Sequence, residues 1–169
     1  EDNDMILYSD YLPVFKINYT LRLDKTSGST KAGFIFGAND NRLMDKNKNL
    51  FKLNNPKDSS YILIELDIAP LATDKTAKLN VYRSGYAPED KRNIAFKSFT
   101  VPNSIINKQN QYENHKFYIS TVLGDTKIYI DGEGKDNFIG DLNLNPLGKG
   151  GDHIAYPVVA SIGFSVDKK

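Results

Sequence analysis

Polar and apolar residues alternate along much of the chain with a period of two, the pattern of a strand that buries one side and exposes the other. The clearest example begins at Phe15, where Phe15, Ile17, Tyr19, Leu21 and Leu23 share one face. The residues between them are Lys, Asn, Thr and Arg. We therefore predict a half-buried strand in this segment.

Seven other segments are also predicted to be strands, since they combine β-branched and aromatic residues with Gly, Pro, Asn or Asp at their limits. They cover residues 32–38, 61–68, 77–83, 95–101, 116–123, 126–131 and 158–166. Residues 118–123 and 126–130 need only a tight turn around Gly124 and Asp125 to pair as an antiparallel hairpin. No segment has a convincing helical pattern.

Many short strands without helices between them favour two packed antiparallel sheets over a parallel arrangement. We expect an all-β fold, specifically an antiparallel jelly-roll β-sandwich of the concanavalin-like kind. A length of 169 residues, of which 40% are hydrophobic, suits a single domain that spans residues 1–169. Three long segments, 39–60, 84–94 and 137–157, are predicted to form its functional edge, because binding residues concentrate on loops above a rigid scaffold.

Composition excludes several classes of function. The net charge is +1 and no long run of one sign occurs, which argues against nucleic acid or a membrane as partner and favours a neutral ligand. Without cysteine, and with only two histidines, a thiolate metal site is impossible and a histidine-based zinc site is hard to assemble. Cations that prefer oxygen ligands stay possible. The apolar runs are far shorter than the ~20 residues that span a bilayer.

The chain opens on the polar sequence Glu-Asp-Asn-Asp, which has no signal-peptide pattern and does not begin with Met. Together with the abrupt end at Lys169, this opening suggests a piece of a longer protein or a mature form that has lost its targeting segment. The place where the protein acts then has to be inferred from its function.

The densest polar cluster comprises Asn39, Asp40, Asn41 and Arg42, directly after the apolar run 34–36. Carboxylate and amide oxygens suit Ca²⁺, whose flexible shell of six to eight oxygens also accepts sugar hydroxyls in place of water. Arg42 could then donate to the ring oxygens of a sugar. The alternative is that these Asn and Asp residues form turns and cap their own backbone.

A second polar run, residues 82–90, contains two tyrosines, an arginine and two acids. Tyr86 is suited to stacking on a sugar ring, and Glu89 to accepting hydrogen bonds from its hydroxyls. The alternative is that several of these residues only pack or cap.

Glu65 and Asp67 offer an enzymatic alternative. They lie two residues apart on a predicted strand, so they face the same side, as do the strand-borne carboxylates of laminarinase-type glycosidases. The third acid of that pattern is missing, because Ala69 and Pro70 occupy its place, and the chain has no Trp to provide a sugar platform.

Several short motifs together resemble the non-catalytic β-sandwich module that lies N-terminal to the catalytic domain in many bacterial α-L-rhamnosidases. In chain order they are Tyr11-Leu12-Pro13-Val14-Phe15, Phe36-Gly37-Ala38-Asn39-Asp40, Arg42-Leu43, Leu79-Asn80-Val81-Tyr82-Arg83, Gly85-Tyr86, Pro88, Asp90, Leu144-Asn145-Pro146 and Ile162-Gly163-Phe164. The resemblance spans nearly the whole chain.

Some of these modules bind L-rhamnose with the help of Ca²⁺, through an Asp-Asn pair at the start of a loop that holds both metal and sugar. The resemblance implies that Asp40 and Asn41 are this pair. Further ligands come from a loop asparagine and a carbonyl near a proline, either near Pro88 and Asn93 or at Asn145. The expected metal ligands are Asn39, Asp40, Asn41 and Asn145, and the expected sugar-binding residues are Asp40, Asn41, Arg42, Tyr86 and Glu89.

The resemblance also implies that catalysis belongs to a separate helical barrel, so the isolated chain is expected to be non-catalytic. Its expected partners are a rhamnose-containing glycan and the catalytic domain of the same parent chain. The expected location is extracellular or periplasmic, in a bacterium. A purely structural module that packs against the catalytic domain is the alternative.

Overall fold

The structure, a computed structural model, describes residues 14–39, 60–84, 90–91, 93–145 and 161–166. These ranges contain nine strands and two short 3-10 helices, Ala69–Thr73 and Lys135–Asn137. The strands are β1 Val14–Leu21, β2 Lys31–Asn39, β3 Ser60–Asp67, β4 Lys78–Ser84, β5 Lys97–Thr100, β6 His115–Val122, β7 Asp125–Ile130, β8 Phe138–Asn143 and β9 Ser161–Val166. Within these ranges, no helix is both long enough and apolar enough to cross a membrane.

The strands form two antiparallel sheets. One sheet has four strands in the order β1-β6-β7-β8, and the other has five in the order β5-β4-β3-β2-β9. Each pair of neighbouring strands is antiparallel. The prediction of an all-β sandwich with antiparallel sheets is confirmed. The described strands form two meanders, β2–β5 and β6–β8, and the jelly-roll connectivity stays a prediction.

The period-two pattern determines which side of each strand is buried. On β3, Ile62, Ile64 and Leu66 are buried, while the residues between them are only partly covered. On β6, Phe117 and Ile119 are buried in the same way. The buried sides of both sheets face each other and form one hydrophobic cluster.

Tyr19 stacks between the two sheets. Its ring lies on the ring of Phe34 in the five-stranded sheet, with centroids 4.4 Å apart, and on that of Phe117 beside it, at 5.1 Å. Burial of these rings and their stacking stabilise the contact between the sheets. The Tyr19 hydroxyl is buried, and no described group hydrogen-bonds to it.

Each of the eight predicted strands overlaps an observed strand, but the predicted hairpin is displaced by one residue. Its turn consists of Leu123 and Gly124, both with positive φ (49° and 86°), and Asp125 already belongs to β7. Two consecutive positive φ angles suit the right-handed twist of the paired strands. The prediction that the turn lies at Gly124 and Asp125 is therefore wrong by one position.

One observed strand, β8, lies in a segment that is predicted to be a loop. Gly140 interrupts its alternation, and Asp141 and Asn143 are poor strand formers, so the pattern is weak. The structure explains the glycine, because a Cβ at this position would overlap the ring of Phe99. The prediction of a continuous loop over residues 137–157 is wrong for residues 138–143.

Replacing Tyr19 by Phe is expected to raise the free energy of unfolding by about 1 kcal/mol at pH 7, because it removes a buried hydroxyl that has no hydrogen-bond partner among the described groups. Burial also raises the pKa of the Tyr19 phenol well above its usual range. The unfolded chain therefore releases this proton above about pH 10 while the folded protein keeps it, so the wild type loses stability as the pH rises further. The Tyr19→Phe variant should lose less stability over the same rise in pH.

Urea denaturation at pH 7 and at about pH 10.5 measures both effects. The control is Tyr118→Phe, because Tyr118 is half-buried on the outer side of β6. A stability loss above about 1 kcal/mol in Tyr19→Phe at pH 7 would contradict the expected effect, since it would mean that the hydroxyl is hydrogen-bonded.

Candidate ligand-binding end

Four strands of the five-stranded sheet begin or end at the same end of the sandwich. Asn39, the last residue of β2, pairs with Ser60, the first residue of β3. β4 ends at Ser84 beside the start of β3, and β9 begins at Ser161 beside the end of β2. We call this end of the sandwich the loop end and the opposite one the far end.

Strand ends of the four-stranded sheet lie at the loop end too. Val122, at the end of β6, pairs with Asp125 at the start of β7, which pairs with Asn143 at the end of β8. Arg83, near the end of β4, donates a hydrogen bond from Nη1 to the carbonyl of Leu144 at 3.1 Å. The chain therefore leaves and rejoins the sandwich at the loop end between β2 and β3, between β4 and β5, and between β8 and β9. These connections belong to the segments predicted to form the functional edge.

Most of the predicted binding residues lie outside the described ranges. They are Asp40, Asn41, Arg42, Tyr86 and Glu89. Asn39 is described only by its backbone, as the last residue of β2, while Asn145 is described in full. Asn39 and Asn145 both lie at the loop end. Asn39 ends β2 of the five-stranded sheet, whereas Asn145 follows β8 of the four-stranded sheet.

The side chain of Asn145 is held against the turn between β6 and β7. Its Nδ2 donates to the carbonyl of Leu123 at 2.6 Å, and its backbone N–H donates to Asn143 Oδ1 at 2.8 Å. Its amide group occupies the space in which a Cβ on Gly124 would lie. The Oδ1 atom is buried and accepts no hydrogen bond from the described residues. An amide oxygen of this kind suits Ca²⁺ chemically.

Across the described ranges, no three His, Asp or Glu side chains are grouped so that they could hold a metal ion. The predicted ligands Asp40 and Asn41 lie outside those ranges. Of the predicted set, the described residues thus supply a candidate oxygen ligand in Asn145 but no carboxylate.

Arg83 and Asp90 form a buried ion pair at the loop end. Arg83 Nε donates to Asp90 Oδ1 at 2.8 Å, and the two side chains are only 3% and 2% exposed. Because water is excluded, each charge needs the other to offset its loss of hydration. With its bond to Leu144, the guanidinium also joins the two sheets. Arg83 and Asp90 belong to the polar run 82–90. For these two residues, the structure favours the alternative that they pack within the protein.

Phe96 lies against this ion pair. The Arg83 guanidinium carbon is 4.3 Å from the centroid of the Phe96 ring, within the range of cation–π attraction. Phe96 and the nearby Ile94 are nevertheless 42% and 60% exposed. The sequence pattern does not indicate this arrangement, because Phe96 lies inside the predicted strand 95–101, where an aromatic residue predicts a place in the core.

Glu65 and Asp67 project from the outer side of the five-stranded sheet, since the alternate residues of β3 are buried. The expectation that they face the same side is confirmed. Asp67 Oδ1 accepts a hydrogen bond from the Ala69 N–H at 2.9 Å, at the start of the 3-10 helix. Burial, and then the nearby Glu65 carboxylate, raise the pKa of Tyr82 on the same side. Asp67 is therefore engaged in shaping the chain that follows β3.

His115 is a polar centre at the far end. Its Nδ1 lies 2.7 Å from Asp131 Oδ2, and its Nε2 lies 2.8 Å from the carbonyl oxygen of Asn110. Asp131 Oδ1 also accepts the backbone N–H of Lys116 at 2.9 Å. Both ring nitrogens face acceptors, so this buried histidine ties the chain before β6 to the bend after β7.

A scan against models of known protein families and a search of curated proteins both found no match to this chain. The resemblance to α-L-rhamnosidase modules therefore stays a prediction from the residue motifs. What the structure adds is the chemistry of the loop end.

Replacing Asp90 by Ala is expected to lower the free energy of unfolding by about 3–5 kcal/mol, because it removes the carboxylate that lies 2.8 Å from the buried Arg83 guanidinium. Urea denaturation measures the loss. The control is Glu133→Ala, since Glu133 pairs with Lys16 at 4.0 Å and the two side chains are 57% and 71% exposed. That variant should unfold close to wild type because water screens exposed pairs. Equal effects in the two variants would mean that burial of the Arg83 pair does not matter.

Proposed function

We propose that the chain is a non-catalytic carbohydrate-binding module of an α-L-rhamnosidase, which binds L-rhamnose or a rhamnose-containing plant glycan at the loop end with the help of Ca²⁺. The observation that supports this best is the convergence of strand ends. β2 ends at Asn39, directly before Asp40, and β4 ends at Ser84, directly before the segment that contains Tyr86 and Glu89; these two strand ends lie at the same end of the sandwich, with β3 between them.

The charge balance of the loop end supports a neutral ligand. The Arg83 guanidinium is compensated by Asp90 within the protein, so this pair presents no net charge to a ligand. The chain as a whole has a net charge of only +1. A sugar needs hydroxyl-bonding groups and an apolar surface rather than a field of one sign.

In the proposed site, Asp40 and Asn41 bind both the cation and the sugar, with Asn39 and Asn145 as further metal ligands. The Asn145 Oδ1 atom, buried and accepting no hydrogen bond from the described residues, fits that role chemically. Arg42, Tyr86 and Glu89 would contact the sugar. When bound, Ca²⁺ would supply positive charge that orients vicinal hydroxyls, while the protein residues determine which hydroxyls are accepted.

A second candidate function, a structural module that packs against the catalytic domain, is favoured by one observation. Val14 and Val122 pair across β1 and β6 on the outer side of the four-stranded sheet, next to Leu123. These three apolar residues are 54%, 51% and 48% exposed. Contiguous exposed apolar surface is typical of contacts between domains. Both candidate functions place the partner near the loop end, so its location does not distinguish them. A binding measurement is therefore needed.

Isothermal titration of L-rhamnose into the chain is expected to show binding with Ca²⁺ and at least tenfold weaker binding with excess EDTA. Asp40→Ala should weaken binding to the same extent, because it removes the proposed ligand of both metal and sugar. The control is Asp45→Ala, which removes a carboxylate five positions further along the chain and should bind like wild type.

No heat under any condition would favour the structural module. Binding that is unchanged by EDTA and by Asp40→Ala would contradict the Ca²⁺-assisted site. Hydrolysis of a polysaccharide by the isolated chain, abolished in Glu65→Ala, would replace the binding proposal with the enzymatic alternative.

A further inference from the structure

We propose that the cleft beside the buried Arg83–Asp90 pair is a second sugar subsite, in which the Phe96 ring stacks on the sugar next to the bound rhamnose. This inference rests on the proposed function and specifies it further, because it assigns the module a preference for an oligosaccharide over a single sugar. Its lining residues are Arg83, Asp90, Lys91, Ile94, Ala95 and Phe96.

The size of the cleft suits one sugar. Its volume is about 240 Å³, which is below the ~300–1,000 Å³ of pockets that enclose drug-sized ligands. The cleft is open to solvent on one side, since Phe96 and Ile94 on its rim are exposed. A sugar that belongs to a longer chain can therefore occupy it while the rest of the chain continues outside.

The Phe96 ring is supported by protein contacts before any ligand arrives. Its backbone N–H donates to the Val81 carbonyl at 2.7 Å, and the Arg83 guanidinium lies over its ring. The guanidinium is in turn held by Asp90 and by the Leu144 carbonyl. An aromatic ring that is already ordered loses little conformational entropy on binding, so the stacking energy is retained.

The chemistry of the cleft combines apolar surface with hydrogen-bonding groups, a combination that suits a sugar. Its buried cation is already paired with a carboxylate at 2.8 Å, so a phosphate or carboxylate ligand would meet Asp90 as well as Arg83. Phe96 and Ile94 offer apolar surface to the C–H groups of a sugar ring, and the exposed Lys91 can donate to its hydroxyls.

The position of the cleft makes it a second subsite rather than part of the first. Asn39 ends β2 and Arg83 lies near the end of β4, with β3 between them. Neighbouring strands are about 4.8 Å apart, so the strands that carry Asn39 and Arg83 are roughly 10 Å apart across the sheet. This separation is wider than one pyranose ring, and two linked sugars can bridge it.

The test compares L-rhamnose with two rhamnosyl-glucose disaccharides, rutinose and neohesperidose, by isothermal titration with Ca²⁺. The wild type is expected to bind at least one disaccharide ten or more times as tightly as L-rhamnose. Phe96→Ala should abolish that preference and leave the affinity for L-rhamnose unchanged. The matched control is Phe138→Ala, because Phe138 is 39% exposed but lies at the far end. That variant should keep both affinities.

A second measurement uses protein labelled with fluorophenylalanine, in which the ¹⁹F resonance of Phe96 is identified by its loss in the conservative variant Phe96→Leu. This resonance should shift with the preferred disaccharide and stay in place with L-rhamnose. It reports on contact at the ring even if the alanine variant folds poorly.

The outcomes separate this inference from the proposed function. A wild type that binds none of the three sugars overturns both. If L-rhamnose binds and Asp40→Ala abolishes that binding, the proposed function stands; equal affinity for all three sugars, or a disaccharide preference that survives Phe96→Ala, then overturns only the second subsite.

Discussion

The arrangement of the loop end depends on the guanidinium of Arg83, buried between the two sheets. A buried cation is tolerated only where carboxylate and carbonyl oxygens replace its water, and Asp90 and Leu144 supply these oxygens. Each of them lies on a different part of the chain, one before β5 and the other after β8. The charge therefore fixes where two connections rejoin the sandwich, and it also orders the Phe96 ring.

The middle of the sandwich is held in a different way. There the sheets meet through apolar side chains and through the stack of Phe34, Tyr19 and Phe117, contacts that have no strict directional requirement. The far end is again polar, with His115 between the carboxylate of Asp131 and the carbonyl of Asn110. Apolar packing thus brings the sheets together, and directional bonds at the two ends determine how the connecting chain sits on them.

The sequence predicted the strands well because period-two alternation directly reflects the burial of one side of a sheet. It failed at β8, where Gly140 is required by the Phe99 ring on the other sheet and so breaks the pattern for a tertiary reason. The same limit applies to the candidate site. The pairing of Arg83 with Asp90 and of Asn145 with Leu123 depends on how the chain returns to the sandwich, which no local pattern encodes. The shared outward side of Glu65 and Asp67, by contrast, followed from spacing alone.

The first and last of the described strands run so that β1 begins at the loop end and β9 finishes at the far end, since Val14 pairs with Val122 and Val166 pairs with Ala32. This polarity matters for any use of the module as a reagent. A tether attached after β9 would leave from the far end and present the loop end outward on a bead, sensor chip or cell wall. A fluorescent protein fused directly before Val14 would instead lie at the loop end, where the proposed site is.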